Sequence, residues 1–175
     1  ALPGGFIGIH SGLLLETNTE SELAAVLAHE VAHVTQRHIA RGLENQARAN
    51  LVSTAATLAA ILIGAMAGGS SDATIGAVTA AQNLAIQSQI NFTREHEYEA
   101  DRVGIGLLHT AGFDPTSMAS FFDTMGRRTQ LGPDWVPELL RTHPVTSARI
   151  AEARGRANQI GATVVAPDSL SYAIT

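Results

Sequence analysis

The stretch that decides how this chain is interpreted is AAVLAHEVAHV, residues 24–34. It carries two histidines four residues apart, His29 and His33, with Glu30 directly after the first. The other residues are alanine, valine and leucine, so the stretch predicts a buried helix. Residues four apart lie on one face of a helix, so both imidazoles can reach one point. A buried helix with two histidines and a glutamate needs a bound partner, because unpaired buried polar groups are costly.

The spacing His-Glu-x-x-His is a pattern that binds zinc. Zinc takes imidazole and carboxylate ligands and leaves one position for water at a catalytic site. His29 and His33 are therefore candidate ligands of one zinc ion per chain. Glu30 is the candidate general base, because it stands beside the first ligand and zinc lowers the pKa of a bound water to about 7.

A second polar segment, REHEYEADR at residues 94–102, supplies candidates for a third ligand. Glu97 and Asp101 are four residues apart and share a helical face. The pattern favours Glu97 on the metal and Asp101 behind it, where a carboxylate fixes the orientation of a ligand histidine. Glu95 and Glu99 are interpreted as solvated surface acids, although the spacing alone leaves every acid of this segment open as the ligand.

Composition limits the class of protein. The chain has 175 residues, 45% of them hydrophobic, which is enough for one compact domain with a core. A net charge of −5 and the lack of a basic patch argue against a nucleic-acid-binding protein. The absence of cysteine removes disulfides, thiolate zinc ligands and cysteine nucleophiles from consideration.

The N-terminal half is predicted to hold a short strand at residues 6–9 and a long helix from residue 21 to about residue 50, capped by Asn18 or Thr19. Residues 51–92 carry one charge, Asp72. They are interpreted as a helical hairpin or cover of the domain, with a segment that touches a membrane or a client protein as the alternative. A full membrane span is least favoured, because alanine, glycine and threonine insert weakly.

The C-terminal half is predicted to be helical as well. A charged helix covers about 93–110, Asp114 caps a helix with Pro115 at its first position, and a last helix runs from His143-Pro144 to about residue 160. The tail, residues 161–175, is expected to be irregular or a linker. The helix after Asp114 has a core-facing stripe at i, i+3, i+4 and i+7 spacing: Met118, Phe121, Phe122 and Met125.

His143 is the most informative of the other histidines. At the predicted helix start, the positive end of the helix dipole favours a neutral ring. We interpret His143 as an active-site residue, either a fourth ligand that blocks the water position at rest or a donor to an oxyanion; the alternative is a helix-capping histidine. Arg149 either stabilises transition-state charge or pairs with an acid such as Glu152. Surface or core roles are expected for His10, His38, His96 and His109.

Together these motifs resemble a known family. His-Glu-x-x-His followed on another helix by Glu-x-x-Ala-Asp, residues 97–101, is similar to the zinc metallopeptidase family that includes the CAAX prenyl protease and HtpX. LPGGFI at residues 2–7 and SGLL at residues 11–14 resemble the approach to the active site in that family. RTHP at residues 141–144 and SAR at residues 147–149 resemble its soluble periplasmic branch, that of the β-barrel assembly-enhancing proteases (BepA).

The resemblance implies a mainly α (α+β) fold, a zincin-like domain with a small β edge beside a buried active-site helix. It implies Glu97 as third ligand and a zinc metalloendopeptidase whose catalytic domain covers residues 1–160, followed by a tail, residues 161–175. Zinc would polarise the scissile carbonyl while Glu30 activates water and protonates the leaving amine. An extended substrate would pair with an edge strand formed by Phe6, Ile7, Gly8 and Ile9.

The same resemblance implies a periplasmic location, with membrane association as an alternative. The expected partners are protein or peptide substrates, chiefly unfolded or misassembled envelope proteins, with a membrane or the outer-membrane assembly machinery as a further contact. Two other functions stay open. One is a metal-containing chaperone or scaffold with little proteolysis, capped by His143, that binds clients through residues 51–92. The other is a zinc hydrolase that acts on a non-peptide bond and needs a narrow pocket.

Overall fold

The computed structural model describes residues 1–66, 71–129, 142–161, 165 and 167–173. These residues form a mainly helical structure, as the sequence predicts. They divide into two compact units, unit 1 (Ala1–Gln36 and Glu97–Thr175) and unit 2 (Arg37–His96). The helices are α1 (Gly12–Glu16), α2 (Glu20–Thr35), α3 (His38–Met66), α4 (Ser71–Thr110), α5 (Ser117–Thr129), α6 (Ser147–Ile160) and α7 (Leu170–Ala173).

Helix α2 begins where its capping signal lies. The hydroxyl of Thr19 accepts a hydrogen bond from the backbone N–H of Glu22 at 3.1 Å, which satisfies one free donor of the first turn. The predicted continuation to residue 50 is wrong, because α2 ends at Thr35 and α3 begins at His38. Arg37 between them has a φ of 55°, a left-handed conformation that interrupts a right-handed helix.

The core of unit 1 lies between α2, α5 and the C-terminal part of α4. The predicted stripe of α5 is buried, and so are Ile105 and Leu108 of α4. Gly104 lets α4 approach α2 closely, since a Cβ at this position would lie 3.2 Å from the backbone nitrogen of His29. Helix α5 starts two residues later than predicted, because the Asp114 carboxylate accepts the N–H of Thr116 in a turn before the helix.

The predicted strand at residues 6–9 does not form. Leu2 and Phe6 make one isolated antiparallel bridge, and residues 7–10 have no regular structure. The turn between them contains Gly4 and Gly5 at positive φ, 88° and 83°, and is tight enough for a single bridging pair. Residues 6–9 have no neighbouring strand among the described residues, so a ladder cannot extend. The small β edge expected beside α2 is therefore absent from the described part of the chain.

Helix α6 begins at Ser147 and not at Pro144, because the hydroxyl of Thr146 accepts the N–H of Arg149 and caps the helix. It ends at Ile160, as predicted, with Gly161 at a φ of 85°. The described part of the tail is not wholly irregular. It contains α7, whose Tyr172 hydroxyl donates to the Thr17 carbonyl oxygen at 2.9 Å. Gly132, Pro133 and Pro137, which are typical of a loop, lie outside the described residues.

Unit 2 consists of α3 and the N-terminal part of α4. The second half of the predicted hairpin and the helix predicted at 93–110 are one helix, since residues 90–93 contain neither proline nor glycine. By length and composition α3 could cross a membrane, with a mean hydropathy of 1.7 in its most apolar window, a property that core helices and signal sequences share. His38 and His96 are buried and stack with ring centroids 4.1 Å apart. Gly68, Gly69 and Ser70, which are typical of the turn of a hairpin, lie outside the described residues.

Candidate metal centre

The two histidines of the motif lie side by side on the buried face of α2. The Nε2 atoms of His29 and His33 are 3.0 Å apart, and both side chains are buried. One helical turn separates the two residues, so the helix itself fixes this geometry. These distances bring both imidazoles to one point.

Glu97 of α4 faces the same point. Its Oε1 lies 3.3 Å from His33 Nε2, and its Oε2 lies 3.5 Å from His29 Nε2. The side chain is buried, whereas Glu95 is exposed and lies outside the group of converging ligand atoms. Of the acids in the segment 94–102, the structure therefore brings Glu97 to the histidine pair, in the position the family resemblance implies.

His143 completes the group from the segment before α6. Its Nδ1 lies 3.0 Å from Glu97 Oε1 and 3.3 Å from His29 Nε2. One ligand atom from each of the four residues lies within 4.8 Å of every other. Three imidazole nitrogens and one carboxylate oxygen form a donor set that suits zinc and other divalent transition metals. The residues present thus fit a bound metal ion.

Asp101 and Arg149 support this group from behind. Asp101 Oδ1 lies 2.9 Å from His29 Nδ1, on the side of the ring opposite the Nε2 atom that faces Glu97. Arg149 donates two hydrogen bonds of 2.7 Å to Asp101 and lies 2.9 Å from Glu97 Oε2. It also donates to the Pro144 carbonyl oxygen at 2.8 Å, which ties down the segment that carries His143. The pairing of Arg149 with Glu152 is wrong, because Glu152 pairs with Arg156.

The electrostatics follow from these contacts. Burial alone would raise the pKa of the Glu97 carboxyl, but hydrogen bonds from His143, His29 and His33 outweigh it and hold that pKa well below its usual range. Burial would lower the pKa of His29, yet the Asp101 and Glu97 carboxylates raise it to about 9. Burial also lowers the pKa of His33, and the neighbouring His29 adds to the effect. Without a metal, one imidazole of the cluster therefore carries a proton that a bound cation would displace.

Glu30 borders a cavity beside the cluster. One carboxylate oxygen lies 3.3 Å from His143 Nε2, and the other contacts the amino group of Ala1. The cavity has a volume of about 160 Å³, and Gly8 and Ile9 line it together with Glu30 and His143. The predicted edge residues thus divide: Gly8 and Ile9 lie near the cluster, whereas Phe6 is 71% exposed and Ile7 lines no described part of this cavity.

Sequence reasoning missed the link between Arg149 and the two acids of α4. Arg149 and Asp101 are 48 residues apart, and no spacing rule connects them. The apolar side of the site was missed as well. It is a small hollow of about 20 Å³, lined in part by Val26, Phe122 and Val145 together with His29 and His143. The sequence signals it only through the apolar stripe of α5, and any core-facing helix shows the same stripe.

A cluster of three imidazoles and a carboxylate, buried apart from the half-buried His143, with a second carboxylate beside it at a cavity, defines the site of a metal-dependent hydrolase. Comparison with known proteins agrees. Peptidase family M48 matches residues 1–157, and the chain belongs to this family. This confirms the resemblance drawn from the motifs and the expectation of a metallopeptidase.

Individual relatives are similar along most of this chain. The beta-barrel assembly-enhancing protease of Escherichia coli K12 is 42% identical over 162 residues, 93% of this chain and 32% of the relative. That of Yersinia pestis is 42% identical over 157 residues, 90% of this chain and 32% of the relative. Metalloprotease LoiP of Escherichia coli K12 is 29% identical over 166 residues, 92% of this chain and 59% of the relative. The chain spans about a third of the length of the beta-barrel assembly-enhancing proteases.

Proposed function

We propose that this chain is a zinc-dependent endopeptidase that hydrolyses peptide bonds of unfolded or misassembled envelope proteins in the periplasm. The observation that carries the proposal is the convergence of His29, His33 and Glu97 on one point with Glu30 beside it. The names of the relatives, beta-barrel assembly-enhancing proteases, support the role in envelope quality control and the compartment. Zinc is the metal of choice because the donor set is two imidazoles and a carboxylate at a His-Glu-x-x-His helix.

In this proposal His29, His33 and Glu97 are the metal ligands. Asp101 and Arg149 fix the orientation of these ligands. Asp101 keeps the proton of His29 on Nδ1, which leaves Nε2 free to bind metal. Arg149 anchors Oε2 of Glu97 and so leaves Oε1 facing His33. Zinc, when bound, supplies Lewis acidity that polarises a scissile carbonyl and acidifies water.

Glu30 is the proton carrier of the reaction. Its carboxylate is buried and borders the cavity next to the cluster. It takes a proton from the attacking water and delivers it to the leaving amine, a role that contributes about 10²–10⁴-fold to the rate. His143 Nε2 lies 3.3 Å from Glu30, so the imidazole is placed to donate a hydrogen bond to that carboxylate or to a developing oxyanion.

The substrate would lie along the segment that contains Gly8 and Ile9. This segment has no strand partner among the described residues, so its backbone is a candidate for pairing with an extended peptide. Gly8 and Ile9 share a cavity with Glu30, which would hold the scissile bond close to the general base. The absence of a preformed strand means that substrate binding would itself order this edge.

A second function is favoured by one observation, the position of His143. Its Nδ1 lies within reach of both His29 and Glu97, where a fourth ligand would stand, and a capped metal site would have little activity. In that case the protein is a metal-containing chaperone or scaffold, with clients bound at residues 51–92.

Digestion of reduced casein separates the two functions. The zinc-loaded wild type, Glu30→Gln and His143→Ala are compared with and without a chelator. The endopeptidase proposal predicts chelator-sensitive cleavage by wild type or by His143→Ala, and no cleavage by Glu30→Gln. If wild type and His143→Ala both stay at the level of Glu30→Gln while casein still binds, the scaffold function replaces the endopeptidase.

A further inference from the structure

The aliphatic face of α3 is exposed in a way that a core helix is not. Residues 49–66 carry no charge, and the charged residues of α3 are confined to its first three turns. The bulky side chains of this charge-free part are between 49% and 88% exposed: Leu51, Val52, Leu58, Ile61, Leu62, Ile63 and Met66. We call these seven residues the aliphatic face.

The small residues of α3 lie on the opposite side. At about 100° per residue, the aliphatic face covers an arc of about 200° around the helix. The positions that are half-buried fall in the remaining arc, and all carry small side chains: Ala49, Ser53, Ala56, Thr57, Ala60 and Gly64. In a water-soluble helix the large apolar side chains are the buried ones, so α3 has the reverse arrangement.

Gly64, on the side of α3 that carries small residues, lies close to α4. A Cβ at Gly64 would collide with the hydroxyl oxygen of Thr74 in α4, so a larger residue would force the Thr74 side chain to move. A small residue at the contact between two helices, with large aliphatic residues outside, is typical of helices in lipid, where the hydrophobic effect does not draw large side chains inward.

From these observations we infer that the aliphatic face of α3 lies in the surface of a lipid bilayer. A groove on a protein takes a narrow stripe of residues at i, i+3, i+4 and i+7, and an arc of about 200° is too wide for it. A protein interface also has a polar rim, and residues 49–66 supply no charged residue for one. A surface that contacts lipid tails requires neither a narrow stripe of apolar residues nor a polar rim.

The neighbouring part of α4 decides between lying in the surface and crossing the membrane. It carries Asp72 and five exposed amide side chains: Gln82, Asn83, Gln87, Gln89 and Asn91. A crossing hairpin would bury the amide side chains in hydrocarbon, where unpaired polar groups are costly, whereas Asp72, in the first turn of α4, would lie at the tip of the hairpin. An interfacial helix buries only its apolar face, about 5–10 Å into the boundary between headgroups and acyl chains, and α4 can stay in water.

Because the chain has no cysteine, single fluorescent labels can test this directly. An environment-sensitive dye is attached at Leu62→Cys, and the control label is at Leu15→Cys, which is 79% exposed in unit 1. The full chain is mixed with vesicles of phosphatidylethanolamine and phosphatidylglycerol that contain nitroxide quenchers at shallow or deep positions. We expect a blue shift and strong shallow quenching at position 62 and no response at position 15, with or without chelator.

Several results would overturn the inference. Stronger quenching by the deep nitroxide would show a span, and a response to reduced casein but not to vesicles would show a protein-binding surface. No response to either would show that the face binds nothing tested.

A pair of variants gives a second measurement. Leu58→Gln with Leu62→Gln should weaken vesicle binding in flotation by at least about tenfold, because two aliphatic side chains lose their burial. Leu15→Gln should leave binding unchanged, and circular dichroism checks that both variants stay helical. Equal binding of the two proteins would refute the role of the aliphatic face. The test does not depend on peptidase activity, so the inference and the proposed function can fail separately.

Discussion

Replacing Arg149 with methionine tests whether the support behind the metal ligands is as tightly coupled as the geometry indicates. Arg149 is 3% exposed and makes three short contacts with two buried carboxylates, those of Asp101 and Glu97. Removing one partner of a buried ion pair costs about 3–5 kcal/mol, because it leaves a buried charge uncompensated. His29 still faces Asp101, so we expect the lower end of this range. The free energy of unfolding should fall by about 3 kcal/mol, which lowers the melting temperature by roughly 6–12 °C for a chain of this size.

The assay is urea unfolding of the metal-free protein at pH 7, followed by circular dichroism. Methionine keeps an apolar side chain against the ring of Phe122, over which the guanidinium carbon lies 4.8 Å from the centroid. The matched control is Arg156→Met on the same helix. Arg156 lies 3.4 Å from Glu152, an i, i+4 surface pair worth at most about 0.5 kcal/mol. If both variants lose the same small free energy of unfolding, Arg149 does not stabilise the buried carboxylates of Asp101 and Glu97, and its supporting role is wrong.

Three further predictions follow from the same cluster. Glu30→Gln should lower peptide hydrolysis by about 10²–10⁴-fold and leave metal content unchanged, measured by a peptide assay beside metal analysis. Asp101→Asn should weaken metal binding by about 10–100-fold in a chelator competition, with Asp123→Asn on α5 as the control; equal affinities would contradict its role. In the metal-free protein the carboxylates raise the pKa of His29 from 6.5 to about 9 against the effect of burial. This contribution to stability is present below about pH 6.5 and is lost as pH rises through about 9, so the urea midpoint of wild type should fall over that range and that of His29→Ala should not.

The local features of the site could be predicted from the sequence. Four-residue spacing places His29 and His33 together without any tertiary information, and Glu97 follows once the family resemblance is drawn. The stripe of α5 is buried as its spacing indicates, because a helix with one apolar face packs that face against the core.

What depends on distant contacts or on unusual backbone could not be predicted. Arg37 adopts a left-handed conformation that its residue type does not signal, so the break between α2 and α3 was missed. Pro144 suggested a helix start, but the competing cap at Thr146 prevails. Arg149 pairs with Asp101 across 48 residues, and only the fold brings them together. The strand predicted at residues 6–9 does not form, because a short apolar stretch becomes a stable strand only where it has partner strands.

Metal content is the measurement that tests the central claim most directly. Wild type, His29→Ala, Glu97→Ala and the exposed-histidine control His10→Ala are dialysed against zinc and then against buffer, and bound metal is counted by mass spectrometry. The site described above predicts about one zinc per chain in wild type and His10→Ala, and loss of that zinc in the other two variants. A wild type that keeps no metal, or a Glu97→Ala variant that keeps all of it, would contradict the claim that these three side chains hold one ion.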